Sequence, residues 1–193
     1  MTIEFAAIAP ALREEHARFL SDYREALITF GPIHGGPESA PGYAYQTDFP
    51  GMNAESLREF LTADPLSRAG LYRATTVSGW RCMLPHRQPT MPLRSGCRGF
   101  LFHGIAKPNV TERRNALAEQ HRAHLRPLDQ TRCLSRGALT DADGQGWLGS
   151  AMIYELPDRD AFDELFRNEP FRVSGIYERI DIYDWQRGTI AGA

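Results

Sequence analysis

The strongest constraint on the fold is an internal repeat, because residues 53–81 align without a gap on residues 158–186 at a constant offset of 105. A period near 100 residues is too long for a solenoid unit, which spans about 20 to 50 residues. We therefore interpret the chain as two copies of one small domain fused in tandem. Five identities carry the alignment: Glu59, Pro65, Gly70, Tyr72 and Trp80 recur as Glu164, Pro170, Gly175, Tyr177 and Trp185.

The apolar pattern predicts the same order of elements in both copies, β-α-β-β-α-β. This order is the ferredoxin-like plan, an α+β fold, and we expect the two sheets to pack face to face as an intramolecular dimeric α+β barrel. We assign the first copy to residues 1–82, a Pro- and Arg-rich linker to 83–98 and the second copy to 99–188. In the first copy the predicted strands are 3–8, 28–33, 43–49 and 71–81, and the predicted helices are 11–27 and 53–61. In the second copy the predicted strands are 100–105, 133–139, 147–155 and 176–185, and the predicted helices are 111–125 and 158–166.

Charge and cysteine content limit the partners and the compartment. The formal net charge of the 193 residues is −2, and no stripe of Lys or Arg follows a predicted helix, so we expect neither a nucleic-acid nor a membrane partner. The cysteines Cys82, Cys97 and Cys133 are few and odd in number, which favours free thiols. The sequence shows no signal peptide and no membrane-spanning stretch, so we expect a cytoplasmic protein.

Short motifs recur in order along both copies and resemble the YCII-related domain family. In the second copy they are Lys-Pro after the first strand, Arg-Ala-His-Leu, Asn-Glu-Pro-Phe, Ser-Gly-Ile-Tyr-Glu and a terminal tryptophan, at 107–108, 122–125, 168–171, 174–178 and Trp185. The first copy has Arg-Glu-Glu-His, Gly-Pro, Ala-Asp-Pro-Leu and Ala-Gly-Leu-Tyr at 13–16, 31–32, 63–66 and 69–72.

This resemblance implies a dimeric α+β barrel and a catalytic pair of a histidine and an aspartate in the cleft. By position, the histidine falls on His16 in the first copy and on His124 in the second. The carboxylate falls on Asp64 in the first copy and on Glu169 in the second. At the strict offset of 105, however, His16 corresponds to His121, so the choice of histidine in the second copy stays open.

Structural roles are alternatives for several of these residues. Asp64 directly precedes Pro65, as a helix N-cap would, whereas Glu is a poorer cap, which favours a site role for Glu169. His121 and His124 lie three residues apart on one helix face, but no third ligand follows at a matching spacing. We therefore expect neither a metal nor another cofactor.

Three further residues are candidates for substrate binding. His34 lies in a Gly-rich segment directly after a predicted strand, from which it could reach a cleft. Tyr43 and Trp147 are strand aromatics that could line a pocket for a planar ligand, although a shift of one residue in register would turn them to the other face.

The leading functional prediction is a cofactor-independent enzyme for a small aromatic, quinone or lactone-like molecule. A histidine oriented by a carboxylate suits proton abstraction, so the reaction would be that of a lyase, a dehydrochlorinase or an isomerase. The alternative is a non-catalytic barrel that binds a small ligand. A cofactor-free monooxygenase is a weaker alternative, since fold analogy alone favours it. Neither the substrate nor any homo-oligomer of fused barrels can be read from the sequence.

Overall fold

The structure, a computed structural model, describes residues 8–36, 41–48, 54–141 and 143–192. These residues form seven strands, six α-helices and two 3₁₀ helices, Gln88–Thr90 and Arg126–Leu128. The strands are Leu27–His34 (β1), Gly42–Thr47 (β2), Gly79–Cys82 (β3), Arg98–Ala106 (β4), Cys133–Thr140 (β5), Trp147–Leu156 (β6) and Tyr177–Trp185 (β7). The helices are Pro10–Asp22 (α1), Ala54–Ala63 (α2), Pro65–Arg68 (α3), Thr111–Leu125 (α4), Arg159–Arg167 (α5) and Pro170–Val173 (α6).

The seven strands form one antiparallel sheet in the order β2-β1-β7-β4-β6-β5-β3, a nearly closed barrel. Within it, β7-β4-β6-β5 is the ferredoxin-like order of the second half. The two halves meet at two seams of the sheet, where β7 pairs with β1 and β3 pairs with β5. Trp185 lies opposite Ile33 at one seam, and Trp80 lies opposite Leu139 at the other.

Three apolar cores follow from the alternation of side chains along the strands. In β4, Phe100 and Phe102 face the helices of the second half, whereas Leu101 faces the barrel interior. The interior core joins residues of both halves, namely Leu101, Leu134, Ile153 and Trp185 with Ile33 and Ala44. A separate core under the first-half helices comprises Leu20, Leu27, Phe30, Phe60 and Ile190.

The repeat has a counterpart in the backbone around the two short helices. Pro65 and Pro170 both take the first helical position after an acidic N-cap, and Gly70 and Gly175 both adopt φ of 68°. That left-handed conformation suits glycine, which has no Cβ to collide with the carbonyl. The local geometry therefore repeats at the offset of 105, while the duplication itself stays a proposal.

Several sequence predictions are confirmed and a few are wrong. The helix at 111–125 and the β5–β6 hairpin are confirmed. The predicted strand at 71–81 is wrong in its first part: only Gly79–Cys82 is a strand, because residues 73–78 are exposed and bury no apolar face. The predicted helix at 11–27 ends at Asp22, and the first predicted strand, 3–8, lies almost wholly outside the described residues.

The linker is bonded to both halves. The side chain of Gln88 accepts from the N–H of Phe30 at 3.0 Å and donates to the carbonyl of Gly188 at 3.2 Å. All three cysteines are free thiols, as predicted. In the part of the chain that the structure describes, no helix has the length and apolar character needed to cross a membrane.

Candidate functional site

The second half holds a carboxylate in a defined position. Glu169 is the N-cap of α6, and its two carboxylate oxygens accept the backbone N–H groups of Phe171 at 2.9 Å and Arg172 at 2.8 Å. Its side chain is fully buried. A capping carboxylate satisfies helix N–H groups that have no partner within the helix. The local sequence Glu-Pro-Phe-Arg therefore places a negative charge beneath α4.

His121 of α4 forms a hydrogen bond with this carboxylate, since its Nδ1 lies 2.7 Å from Oε1 of Glu169. An ionised carboxylate only accepts hydrogen bonds, so Nδ1 carries the proton and Nε2 keeps the lone pair that can take a proton. The imidazole also stacks on Phe171, with ring centroids 4.0 Å apart and planes 4° apart. Both contacts orient the ring.

The pKa of Glu169 reflects this environment. Burial acts to raise the pKa, but the hydrogen bond and charge of His121 and the two backbone N–H groups outweigh burial, so the pKa lies below its ordinary value. Glu169 is therefore ionised at neutral pH and can stabilise a proton on His121.

Aromatic and polar side chains surround the pair. Trp147 of β6 packs edge-on against Phe171 with ring centroids 5.6 Å apart, and it lies 6.1 Å from the ring of Tyr177. The Tyr177 hydroxyl donates to the hydroxyl of Ser150 at 3.0 Å. Arg114, seven residues before His121 on α4, lies over Trp147, with 5.6 Å between the guanidinium carbon and the ring centroid.

The first half has a related cluster whose histidine is bonded differently. Asp64 caps α3 by accepting the N–H of Leu66 at 2.8 Å, as the sequence predicts. Nε2 of His16 lies 2.8 Å from the hydroxyl of Tyr45 and 3.7 Å from Oδ1 of Asp64. The Tyr45 hydroxyl donates to Oδ2 of Asp64 at 3.0 Å and lies 3.1 Å from the hydroxyl of Tyr72. The tyrosine hydroxyl thus stands between the predicted base and its carboxylate.

Burial dominates the electrostatics of this first cluster. It lowers the pKa of His16 to about 4, although the charge of Asp64 acts in the opposite direction. Burial likewise raises the pKa of Tyr45 well above its ordinary value, and the nearby Tyr72 and Asp64 add to that shift. His16 is therefore neutral at neutral pH.

The two clusters correspond residue by residue at the offset of 105. Their histidines, carboxylates and tyrosines occupy equivalent positions, while aspartate is replaced by glutamate and the fourth residue changes from tyrosine to serine: His16, Asp64, Tyr72 and Tyr45 match His121, Glu169, Tyr177 and Ser150. The predicted pairing of His124 with Glu169 is therefore wrong. Nε2 of His124 instead lies 2.7 Å from the carbonyl of Leu165 and ties α4 to α5.

The predicted substrate-binding residues fall in different places. Trp147 lies beside the second cluster, and Tyr43 packs edge-on against His16 with ring centroids 4.8 Å apart. His34 ends β1 opposite Asp184, and in the described structure no hydrogen bond joins it to either cluster. The described residues also contain no group of three or more side chains suited to hold a metal ion.

Sequence reasoning missed Ser150 and Arg114 as site residues, and it did not relate Tyr45 to His16. The signal for Tyr45 and Ser150 was present, because the offset of 105 extends beyond the gap-free alignment to positions 45 and 150. The two residues differ in type, however, so no identity marks the pair. Arg114 carries no repeat signal, since only its place on the helix face of His121 relates it to the cluster.

Comparison with known proteins assigns the second half. The YCII-related domain model matches residues 99–186. This YCII-related domain contains His121, Glu169, Trp147 and Arg114, and the match does not extend to the first half. No curated protein matches the sequence of the chain.

Solved structures share the fold of the whole chain. A proposed monooxygenase of Fusobacterium nucleatum aligns with a TM-score of 0.57 at 7% identity, over 93% of this chain and 85% of that one. A proposed monooxygenase of Lactobacillus acidophilus aligns with a TM-score of 0.52 at 12% identity, over 94% and 90% of the two chains. At these identities the likeness concerns the fold alone.

A third structure resembles part of the chain. The 5-chloro-2-hydroxyhydroquinone dehydrochlorinase of Burkholderia phenoliruptrix, solved in complex with 2,5-dihydroxybenzoquinone, aligns at 24% identity with a TM-score of 0.44. The alignment covers 47% of this chain and 95% of that one.

Proposed function

We propose that the protein is a cofactor-independent small-molecule enzyme in which His121, oriented by Glu169, acts as a general base. The observation that carries the proposal is the 2.7 Å hydrogen bond between Nδ1 of His121 and the buried carboxylate of Glu169. A carboxylate in this place holds the imidazole in one tautomer and stabilises the imidazolium that forms when Nε2 takes a proton.

The YCII-related domain is the better candidate for the active half. The side chain of His121 is 13% exposed, whereas that of His16 is only 2% exposed. In the first half the Tyr45 hydroxyl already occupies Nε2 of His16. In the second half the equivalent residue is Ser150, whose hydroxyl accepts from Tyr177 instead of meeting the histidine. Fusion of two halves would allow such a division between an active and a closed cluster.

Proton abstraction from a hydroxyl or an acidic carbon is the step that this pair suits. In a dehydrochlorination, one hydroxyl proton of a chlorinated hydroxyhydroquinone first moves to the ring carbon that carries chlorine, which gives the keto tautomer. Nε2 would then take the proton of a conjugated hydroxyl while chloride leaves that carbon, so that HCl and a hydroxyquinone are formed. In an isomerisation, Nε2 would take a proton from one carbon of a lactone and return it to another. Both reactions are balanced without an oxidant or a reductant.

The test uses both substrate types with a matched pair of histidine variants. We would measure chloride release from a chlorinated hydroxyhydroquinone and the ultraviolet change of a muconolactone. For whichever substrate is turned over, His121→Asn should lower kcat/KM by about 100-fold or more, the range for removal of a general base. His124→Asn, three residues along the same helix, should leave kcat/KM within about twofold. An unimpaired His121→Asn enzyme would refute the proposal.

A non-catalytic ligand-binding barrel is the second candidate. Its supporting observation is that Glu169 has a structural role in any case, as the cap that receives the N–H groups of Phe171 and Arg172. Ligand binding without turnover, at an affinity unaffected by His121→Asn, would favour this candidate. Oxygen consumption with a hydroquinone substrate would instead favour a monooxygenase.

A further inference from the structure

Arg114 is a cation with an unused donor, about two helical turns from the proposed base on α4. It precedes His121 by seven residues, or about two helical turns, so both side chains leave the same face of α4. Its Nη1 donates to the side chain of the adjacent Asn115 at 2.9 Å. Its Nε is buried and has no acceptor within the described part of the chain.

The buried Nε of Arg114 carries an energetic cost, because its N–H group has no acceptor in the described part of the chain. A buried donor without an acceptor destabilises the folded protein, and more so when it belongs to a charged group. The ring of Trp147 compensates the buried guanidinium only in part, because a cation over an aromatic face is stabilised less than one that donates a charge-assisted hydrogen bond. An acceptor supplied by a ligand would complete the site.

The surroundings of Arg114 are positive. Burial comes first among the causes that lower its pKa, and the positive charges of Arg122 and Arg81 follow. Arg81 belongs to β3, so the first half adds positive charge near Arg114, where we place the cleft of the proposed active site. The acidic side chain of the cluster, Glu169, is meanwhile paired with His121 and two backbone N–H groups.

We propose that Arg114 is the substrate-binding residue of this cleft, and that its substrate is a planar aromatic or quinonoid anion whose charged oxygen accepts from Nε while its ring lies against Trp147. The inference deepens the proposed function and rests on it for the identity of the reaction. An oxygen held at Arg114 and conjugated to the atom that His121 deprotonates would also be stabilised as negative charge develops.

The test is a binding measurement, so it does not depend on turnover. Salicylate and salicylamide are planar probes of nearly equal size, and only salicylate carries a charge. By titration calorimetry, the wild-type protein should bind salicylate about tenfold more tightly than salicylamide, or better. Arg114→Gln should remove this preference and leave the affinity for salicylamide unchanged, whereas Arg114→Lys should keep part of it.

Arg113→Gln is the matched control, because it removes the same charge from the neighbouring position of α4, where Arg113 reaches the carbonyl of Ser174. Its preference for salicylate should equal that of the wild type. The inference is overturned if the wild-type protein binds neither probe, if it binds both equally, or if both arginine variants lose the preference alike. Circular dichroism of each variant verifies that it is folded.

His121→Asn separates the two proposals. If this variant keeps the preference for salicylate but loses turnover, both proposals stand. If it keeps both, the binding site stands and the general base is refuted. If the preference is absent from the wild-type protein while His121→Asn abolishes turnover, the anion site is refuted and the general base stands.

Discussion

The hydroxyl of Tyr45 lies 2.8 Å from Nε2 of His16, so the histidine of the first half already has a hydrogen-bond partner within the protein. At the equivalent position of the second half, Ser150 bonds to Tyr177 instead, and His121 contacts its carboxylate directly. Two differences in side-chain length, Tyr45 against Ser150 and Asp64 against Glu169, thus separate a filled cluster from one in which the histidine is partly exposed. The predictions below use these differences.

Tyr45→Phe should destabilise the protein without lowering activity. The hydroxyl bonds to His16, Asp64 and Tyr72, and its loss leaves buried polar groups without their partner, at a cost of about 1 to 3 kcal/mol. Urea denaturation measures the loss. Because we place the active site in the other half, kcat/KM should stay within about twofold of the wild type. A large fall in kcat/KM with intact stability would move the active site to the first half.

Glu169→Gln should reduce both stability and activity. Both carboxylate oxygens accept from N–H groups, so the amide of glutamine would turn its own N–H₂ towards another donor. The free energy of unfolding should fall by about 1 to 3 kcal/mol, and kcat should fall as the His121 ring loses its fixed tautomer. The cap has an equivalent in Asp64, so Asp64→Asn is the matched control and should destabilise by a similar amount with kcat unchanged.

Stability should rise with pH between about 4 and 6.5 because of His16. Its pKa is about 4 in the folded protein against 6.5 as the ordinary value, so the unfolded chain binds the extra proton in this interval. The contribution of neutral His16 to the free energy of unfolding is fully present above pH 6.5 and is lost as the pH falls towards 4. Its upper limit is about 3 kcal/mol.

His16→Gln provides the comparison for this pH dependence, since burial also lowers the pKa of His103 and adds a slope of the same sign. The slope of unfolding free energy against pH should be smaller in the variant than in the wild type. Equal slopes would mean that His16 titrates near its ordinary pKa.

Glu155→Gln should destabilise the end of the barrel by about 2 to 4 kcal/mol. Arg187 donates to both carboxylate oxygens of Glu155 at 2.6 and 2.8 Å, and Arg94 of the linker donates at 2.8 Å. Removal of the carboxylate leaves two partly buried cations unpaired. Thermal unfolding measures the effect, and Glu119→Gln, at an exposed ion pair on α4, should change stability by no more than about 0.5 kcal/mol.

The pH dependence of stability is a second, independent measure of the Glu155 ion pairs. Burial acts to raise the pKa of Glu155, but hydrogen bonds from Arg187 and Arg94 outweigh it and hold the pKa below the ordinary value. The ion pairs therefore stabilise the protein above the ordinary pKa of 4.5, and this stabilisation is lost as the pH falls through the lower folded value. Glu155→Gln should remove this part of the acid sensitivity.

The sequence by itself determined the order of the elements in the second half and indicated the cap formed by Asp64, whereas for Glu169 it favoured a site role over the cap that this residue also forms. Apolar periodicity identified α4 and the β5–β6 hairpin, because each buries one face against a core. An acidic residue before proline determined the starts of α3 and α6, since a cap and its proline act through neighbouring backbone atoms. Local interactions suffice for such features.

Only the tertiary structure decided which side chains meet. The choice between His121 and His124 depends on which face of α4 lies over Glu169, and the residues lie on adjacent parts of one helix surface. The contacts of Tyr45 with His16 and Asp64 join a strand, a helix and a cap that are far apart in the chain. The pairings of β7 with β1 and of β3 with β5 join strands that are far apart in the chain. Such contacts are set by packing between elements, which the pattern within one element does not encode.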